Sequence, residues 1–266
     1  ADAVRALLAA KADVHAEDCQ LLTALIWAAG CGHSQCLQVL LDSGAEVAHR
    51  NKDGATALLW AARYGSIECT QMLLHAKADI ETADFDRNTA LCWAACSRAV
   101  APAPVHLIEL LLGAGANIEA ANNAGDTPLA GAVRIGAVAC VEALLNAKAS
   151  VETACRDTSA LFAAVADGQL SCLQIILEAR ADANATDWEG ATPLIRAAQA
   201  GRASCVSVLL DANANLEAID NGGTTALMVA LQAGHFDCAR LLVDRNADLE
   251  ARDIASIKHV DHFRPK

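Results

Sequence analysis

Aromatic residues are scarce in this chain: 3% of 266 residues, with one Tyr, four Phe and four Trp. A core built on stacked rings is thereby excluded. The 54% apolar content has to come mainly from Ala, Leu, Val, Ile and Cys, which suit thin, closely packed helices. Positive charge is short too: 20 Lys and Arg stand against 32 Asp and Glu, a formal charge of −12 that repels a phosphate backbone and argues against nucleic-acid binding. No apolar run reaches the ~18 residues a bilayer-spanning helix needs, and the start lacks the basic, apolar, small-residue order of a signal peptide. Membrane insertion is therefore not expected. The opening Ala1-Asp2-Ala3-Val4 has no Met, as expected of a processed or truncated piece of a longer chain. Catalytic signatures are missing as well. There is no Gly-rich phosphate loop, no Ser-His-Asp order and no His-Glu-x-x-His, so the expectation is a non-enzyme without cofactor or metal.

What the chain has is a period. Thr23-Ala24-Leu25, Thr56-Ala57-Leu58, Thr89-Ala90-Leu91, Thr127-Pro128-Leu129, Ser159-Ala160-Leu161, Thr192-Pro193-Leu194 and Thr225-Ala226-Leu227 recur at intervals of 33, 33, 38, 32, 33 and 33. A second marker keeps the same phase, from Ala12-Asp13-Val14 through Ala78-Asp79-Ile80 and Ala116-Asn117-Ile118 to Ala247-Asp248-Leu249. In Asp187-Trp188-Glu189-Gly190-Ala191-Thr192-Pro193, Asp and Gly supply turn geometry, Thr192 is an N-cap and Pro193 falls at the first helical position, where its missing N–H costs nothing. One such unit cannot bury both its faces alone, so stability has to come from stacking on neighbours.

Thr-Pro-Leu-x-x-Ala-Ala, a Gly four residues later and Leu-Leu before Gly-Ala-Asp resembles the ankyrin repeat, over roughly residues 4–253. The resemblance implies an all-α solenoid of stacked helix-turn-helix units with short β-hairpin or turn fingers. The expected domain spans 1–253, with repeats at 1–17 (partial, giving only its second helix, Asp2 to Ala10), 18–50, 51–83, 84–121, 122–153, 154–186, 187–219 and 220–252, then a tail at 254–266. Departures are visible. The His that usually follows the Thr-Pro-Leu step is absent, with Ile26, Leu59, Cys92, Ala130, Phe162, Ile195 and Met228 in its place. The prolines of Ala101-Pro102-Ala103-Pro104 should form a protruding loop between two helices, and the short finger Ala154–Thr158 lacks Gly.

Cys36, Cys69, Cys140, Cys172, Cys205 and Cys238 share one repeat position, with Leu107 in the third unit. Stacked helices sit about 8–10 Å apart, too far for a disulfide or a shared zinc, so these thiols read as small buried hydrophobes. That usage points to a reducing, intracellular compartment, the cytoplasm, or an organelle if a targeting segment lies upstream. Cys19, Cys31, Cys92, Cys96 and Cys155 lie off this row, with Cys19 and Cys155 expected to be exposed in fingers. His259 and His262 lack further ligands and read as solvated tail.

The resemblance places recognition on finger tips and the ends of first helices. Matching positions give a candidate protein-binding stripe of Lys52, Arg63, Tyr64, Phe85, Arg98 and Arg134, with Trp188 exposed further along. Packing of these side chains on neighbouring fingers is the competing reading. Trp27, Trp60 and Trp93 recur in register and are expected to stack inside the first-helix layer. The functional expectation is a non-catalytic adaptor or scaffold for a protein partner. The alternatives are the recognition domain of a larger enzyme or channel and a constitutive subunit of a large assembly.

Overall fold

The computed structural model describes residues 1–97, 103–152 and 159–249. Among these the chain forms fifteen helices: α1 (Asp2–Ala9), α2 (Ala24–Gly30), α3 (Ser34–Asp42), α4 (Ala57–Arg63), α5 (Ile67–His75), α6 (Ala90–Ala95), α7 (Ala103–Gly113), α8 (Pro128–Arg134), α9 (Val138–Asn146), α10 (Ala160–Asp167), α11 (Leu170–Glu178), α12 (Pro193–Gln199), α13 (Ala203–Asp211), α14 (Ala226–Gln232) and α15 (Phe236–Asp244). None of them is long and apolar enough to cross a membrane.

The caps follow from the repeated Thr. Thr23, Thr56, Thr89, Thr127, Thr192 and Thr225 are extended, and each hydroxyl accepts the N–H three residues on, satisfying one of the orphan donors at a helix start. Pro128 and Pro193 occupy the first helical turn, as expected. Second helices end on a left-handed residue before the in-phase Ala: Gly44 and Gly115 in two repeats, but Lys11, Lys77, Lys148, Arg180, Asn213 and Asn246 in the others. The first helices are narrow because their inner faces are alanine: Ala28-Ala29, Ala61-Ala62, Ala94-Ala95 and Ala197-Ala198 are buried. Leu37, Leu73, Leu107, Leu144, Leu173 and Leu209 of the second helices fill the space behind them.

The chain divides into two compact units, Ala1–Ser150 and Val151–Lys266. In the first, α2, α4, α6 and α8 pack side by side as one layer, with α1, α3, α5, α7 and α9 as the second. In the other unit α10, α12 and α14 form the first layer and α11, α13 and α15 the second. Two sets of hydrogen bonds join successive repeats. At the finger tips, backbone N–H groups of Lys52, Phe85 and Asn123 donate to the carbonyls of Gln20, Asp53 and Asp86 at 3.1, 3.0 and 2.8 Å, and Asn221 does the same to Glu189 at 2.9 Å. At the other turn, side chains reach forward. Glu81 and Glu119 in the first unit accept the backbone N–H of Asn117 and Ser150, and Glu152, Asn184 and Glu217 in the second accept those of Asp182, Asn215 and Asp248, all at 2.6–2.8 Å.

One expectation needs adjustment. The prolines do not all lie in a loop: α7 starts at Ala103 with Pro104 buried in its first turn, where a proline removes no helical hydrogen bond, and 101–102 lie outside the described residues. The fingers are mostly turns, since among the described residues only Glu17–Thr23 and Ile219–Thr225 form β-bridges. The short finger at 154–158, with Cys155, falls outside the described residues, as do His259 and His262.

Candidate partner-binding face

In the first unit the seventh residue after Thr23, Thr56 and Thr89 meets the fourth residue after the Thr of the following repeat. Their sizes are complementary. Gly30 faces Trp60, and a Cβ on Gly30 would stand 2.8 Å from the indole. Cys96 faces Gly131, where a Cβ would stand 2.5 Å from the thiol sulfur. Between these two small-against-large pairs comes Arg63, whose guanidinium carbon lies over Trp93, 4.3 Å from the ring centroid, and 5.8 Å from that of Tyr64. Trp27 and Trp60 meet edge to face at 5.6 Å, and Tyr64 tilts against Trp60 at 5.5 Å.

Of the tryptophan ladder expected inside the first-helix layer, Trp27 and Trp60 meet, Trp93 is covered by Arg63 instead, and all three reach the surface. Trp27 is 48% exposed, and Trp60 and Trp93 are half-buried. The fourth residue after the Thr lies on the helix face turned from the second layer, whose inner positions alanine already fills. Tyr64 at 52% and Phe85 at 67% exposure continue the same surface, so the first unit shows five of the chain's nine aromatic side chains on one face or its fingers. Phe85 lies across Gly54 of the preceding finger: a Cβ there would stand 2.7 Å from its ring.

Lys52, Trp60, Arg63, Phe85 and Trp93 line one cleft of about 440 Å³ between the second and third fingers, with Asp53, Asp84 and Asp86 at its walls. Asp84 is committed within the fold. It is buried and accepts the Trp93 indole N–H at 2.9 Å and the Asn88 amide at 2.8 Å. Asp18 serves the first repeat in the same manner, accepting Leu22, Gln20 and, at 3.4 Å, the Trp27 indole. The Leu22 amide above all holds the Asp18 carboxyl below the usual carboxylate range, with Lys52 contributing from a distance.

Of the stripe read from the sequence, Lys52, Arg63, Tyr64 and Phe85 come together in the first unit. Arg134 is half-buried and pairs with Asp126, its Nε 3.0 Å from both carboxylate oxygens. Arg98 lies outside the described residues. Trp188 belongs to the second unit, on a finger and 69% exposed, its carbonyl accepting Asn221. There Arg196 takes the place of the tryptophans and ties Asp187 and Glu189 at 2.6 and 2.5 Å. Sequence reasoning missed Trp27, Trp60 and Trp93 as surface residues. It also missed Asn51, which stands where Asp18, Asp84, Asp187 and Asp220 stand in other repeats.

The cysteine row behaves as small apolar side chains: Cys69, Cys140, Cys172, Cys205 and Cys238 are buried, Cys36 half so. Burial pushes the Cys69 thiol up to about 11, and at Cys96 burial with the neighbouring Cys92 takes it to about 12. Cys19 is exposed as expected, and Cys31 is exposed at the end of α2.

The sequence profile described as ankyrin repeats (3 copies) matches residues 1–84, 49–102, 91–187 and 161–253. Residues of this chain are 37% identical over 107 positions to the E3 ubiquitin-protein ligase KEG of Arabidopsis thaliana, covering 39% of this chain and 6% of that protein. They are 36% identical over 94 positions to the human ankyrin repeat and SOCS box protein 3, covering 34% of this chain and 18% of that protein. The chain thus spans a small part of both relatives. The crystal structure of the human ASB11 ankyrin repeat domain superposes with a TM-score of 0.71 at 24% identity, over 83% of this chain and 98% of that domain.

Proposed function

The chain belongs to the ankyrin-repeat family, a fold of protein–protein interaction modules, and on that premise we propose that it acts as a non-catalytic adaptor or scaffold gripping a protein partner on the finger and first-helix face of its first unit. The observation that carries this reading is the presence on one unit of exposed Trp27, Tyr64 and Phe85 beside Trp60, Trp93 and Arg63, in a chain with only nine aromatic residues. Aromatic and Arg side chains are the usual anchors of interfaces because they bury much area for little conformational entropy. Asp126 occupies Arg134 and Trp188 lies on the other unit, so the working set is Lys52, Arg63, Tyr64 and Phe85.

The test is affinity capture from native cell extract by the chain, beside a Tyr64→Ala, Phe85→Ala, Arg63→Ala triple variant with unchanged circular dichroism. A partner retained by the first and lost by the second supports the face. Equal capture by both places recognition elsewhere.

The relatives favour a second reading, in which this is the recognition segment of a longer protein. In both a ubiquitin ligase and a SOCS box protein, the matching repeats make up a minor share of the length. A full-length transcript encoding a further domain in frame would support it.

A further inference from the structure

The fourth and seventh fingers carry an asparagine at the same position and hold it in the same way. The backbone N–H of Asn123 donates to the Asp86 carbonyl and that of Asn221 to the Glu189 carbonyl, at 2.8 and 2.9 Å. Each side-chain amide also reaches back to the preceding finger: Asn123 Nδ2 donates to the Phe85 carbonyl at 2.9 Å, and Asn221 Nδ2 to that of Trp188 at 3.3 Å. The N–H of the next residue is held alike in both, Ala124 by Asn122 at 3.0 Å and Gly222 by Asp220 at 2.9 Å. All four residues, Asn123, Ala124, Asn221 and Gly222, are exposed. Two differences remain. The clamp on Asn221 is the longer, and Asn221-Gly222 is the only Asn-Gly step in the chain.

A backbone nitrogen can attack the side-chain amide carbon of a preceding asparagine when the chain folds back on itself. A Cβ on the attacking residue obstructs that approach, and glycine both removes it and widens the accessible backbone angles. The fold does not itself demand glycine at 222. Its φ lies outside the left-handed region, unlike that of Gly223 at +77, and an added Cβ would stand 3.2 Å from its nearest neighbour, a carboxylate oxygen of Asp220. Other fingers have Asp53, Asp86, Ala124 and Glu189 there.

We infer that Asn221 is a site of spontaneous deamidation, and that the reaction weakens the joint between the sixth and seventh fingers. The Gly222 nitrogen loses its proton to solvent and bonds to Asn221 Cγ, and the side-chain nitrogen regains a proton and leaves as ammonia. Water then opens the five-membered imide at either carbonyl. The products are aspartate and isoaspartate, the second with a main chain one carbon longer. Both lack the donor that faced the Trp188 carbonyl, and both add a negative charge beside Asp187, Glu189 and Asp220 of the same two fingers. The change falls next to Trp188, which is 69% exposed.

The test ages the full chain in warm neutral buffer and follows Asn221 and Asn123 in the same sample by peptide mass mapping, with isoaspartyl methyltransferase labelling to identify the isoaspartate. Asn221 should convert faster than Asn123 by roughly tenfold or more, reflecting the freer backbone at glycine. Gly222→Ala, with unchanged circular dichroism, should bring it down to the rate of Asn123. Equal rates at the two asparagines, or a rate at Asn221 indifferent to Gly222→Ala, overturns the site. The joint is read separately by hydrogen exchange. The aged chain and Asn221→Asp should both exchange faster than the fresh chain across 187–191 and 220–225, and unchanged protection in both overturns the weakened joint.

Discussion

Replacing Gly131 by Ala pits two effects of known size against each other. Gly131 is buried in α8 with ordinary helical backbone, so Ala gains about 1 kcal/mol of helix stability from lower chain entropy. Its new Cβ would, however, stand 2.5 Å from Cys96 Sγ. A carbon and a sulfur cannot approach so closely, and overpacking of this kind costs about 1–3 kcal/mol. Cys96 is itself half-buried, so part of that cost can be relieved by its moving. The single variant is therefore expected to be neutral to about 2 kcal/mol less stable, a range too wide to decide the matter alone. A double-mutant cycle does decide it. With Cys96→Ala in place the obstructing sulfur is gone, and Gly131→Ala should now stabilise by about 1 kcal/mol, a coupling of about 1–3 kcal/mol where independent sites agree within about 0.5. Urea unfolding read by tryptophan emission suits the measurement, since Trp27, Trp60 and Trp93 all report on the first unit. A coupling below about 0.5 kcal/mol would refute the size complementarity between successive repeats.

Lys77 holds φ +65, a conformation that disfavours any side chain with a Cβ, and Gly44 and Gly115 fill the same place in other repeats. Lys77→Gly should raise the urea midpoint by an amount equivalent to about 0.5–1 kcal/mol, and a fall would contradict the assigned backbone. The cysteines give a pH signature. Cys69 and Cys96 keep their protons in the folded state up to about 11 and about 12, against an ordinary 9.0, so above pH 9 the folded state binds more protons than the unfolded one. Stability should then decline with rising pH by about 1.4 kcal/mol per pH unit for each thiol, and Cys96→Ala should flatten the slope. At pH 8 iodoacetamide should label Cys19 and Cys31 well before Cys69, as peptide mass mapping would show.

Period and caps were legible because they are local. A Thr followed by an apolar step at a nearly constant interval states where each first helix begins, and α1 ends within a residue of the range expected. The buried cysteine row was legible for the same reason: one repeat position, one environment. The outward tryptophans were not, because recurrence tells that residues share a surface without telling which surface. Nor was the contact of Arg63 with Trp93, which exists only once repeats are stacked with an offset. A signal was nevertheless available. Gly30 thirty residues before Trp60, and Cys96 before Gly131, show small residues answering large ones across the repeat boundary.

The forward-reaching carboxylates of Glu81, Glu119, Glu152 and Glu217 also bear on how such a chain can change over generations. Each addresses a main-chain N–H, a group every residue but proline presents, and so places almost no demand on the side chain of the residue it holds. A duplication or deletion of one whole period would leave the last donor and the next acceptor facing each other again, whereas a gain or loss of part of a period would strand both. Slippage between copies in the coding sequence is thereby filtered toward whole multiples, and the length of the array can drift while the finger residues that choose a partner diverge copy by copy.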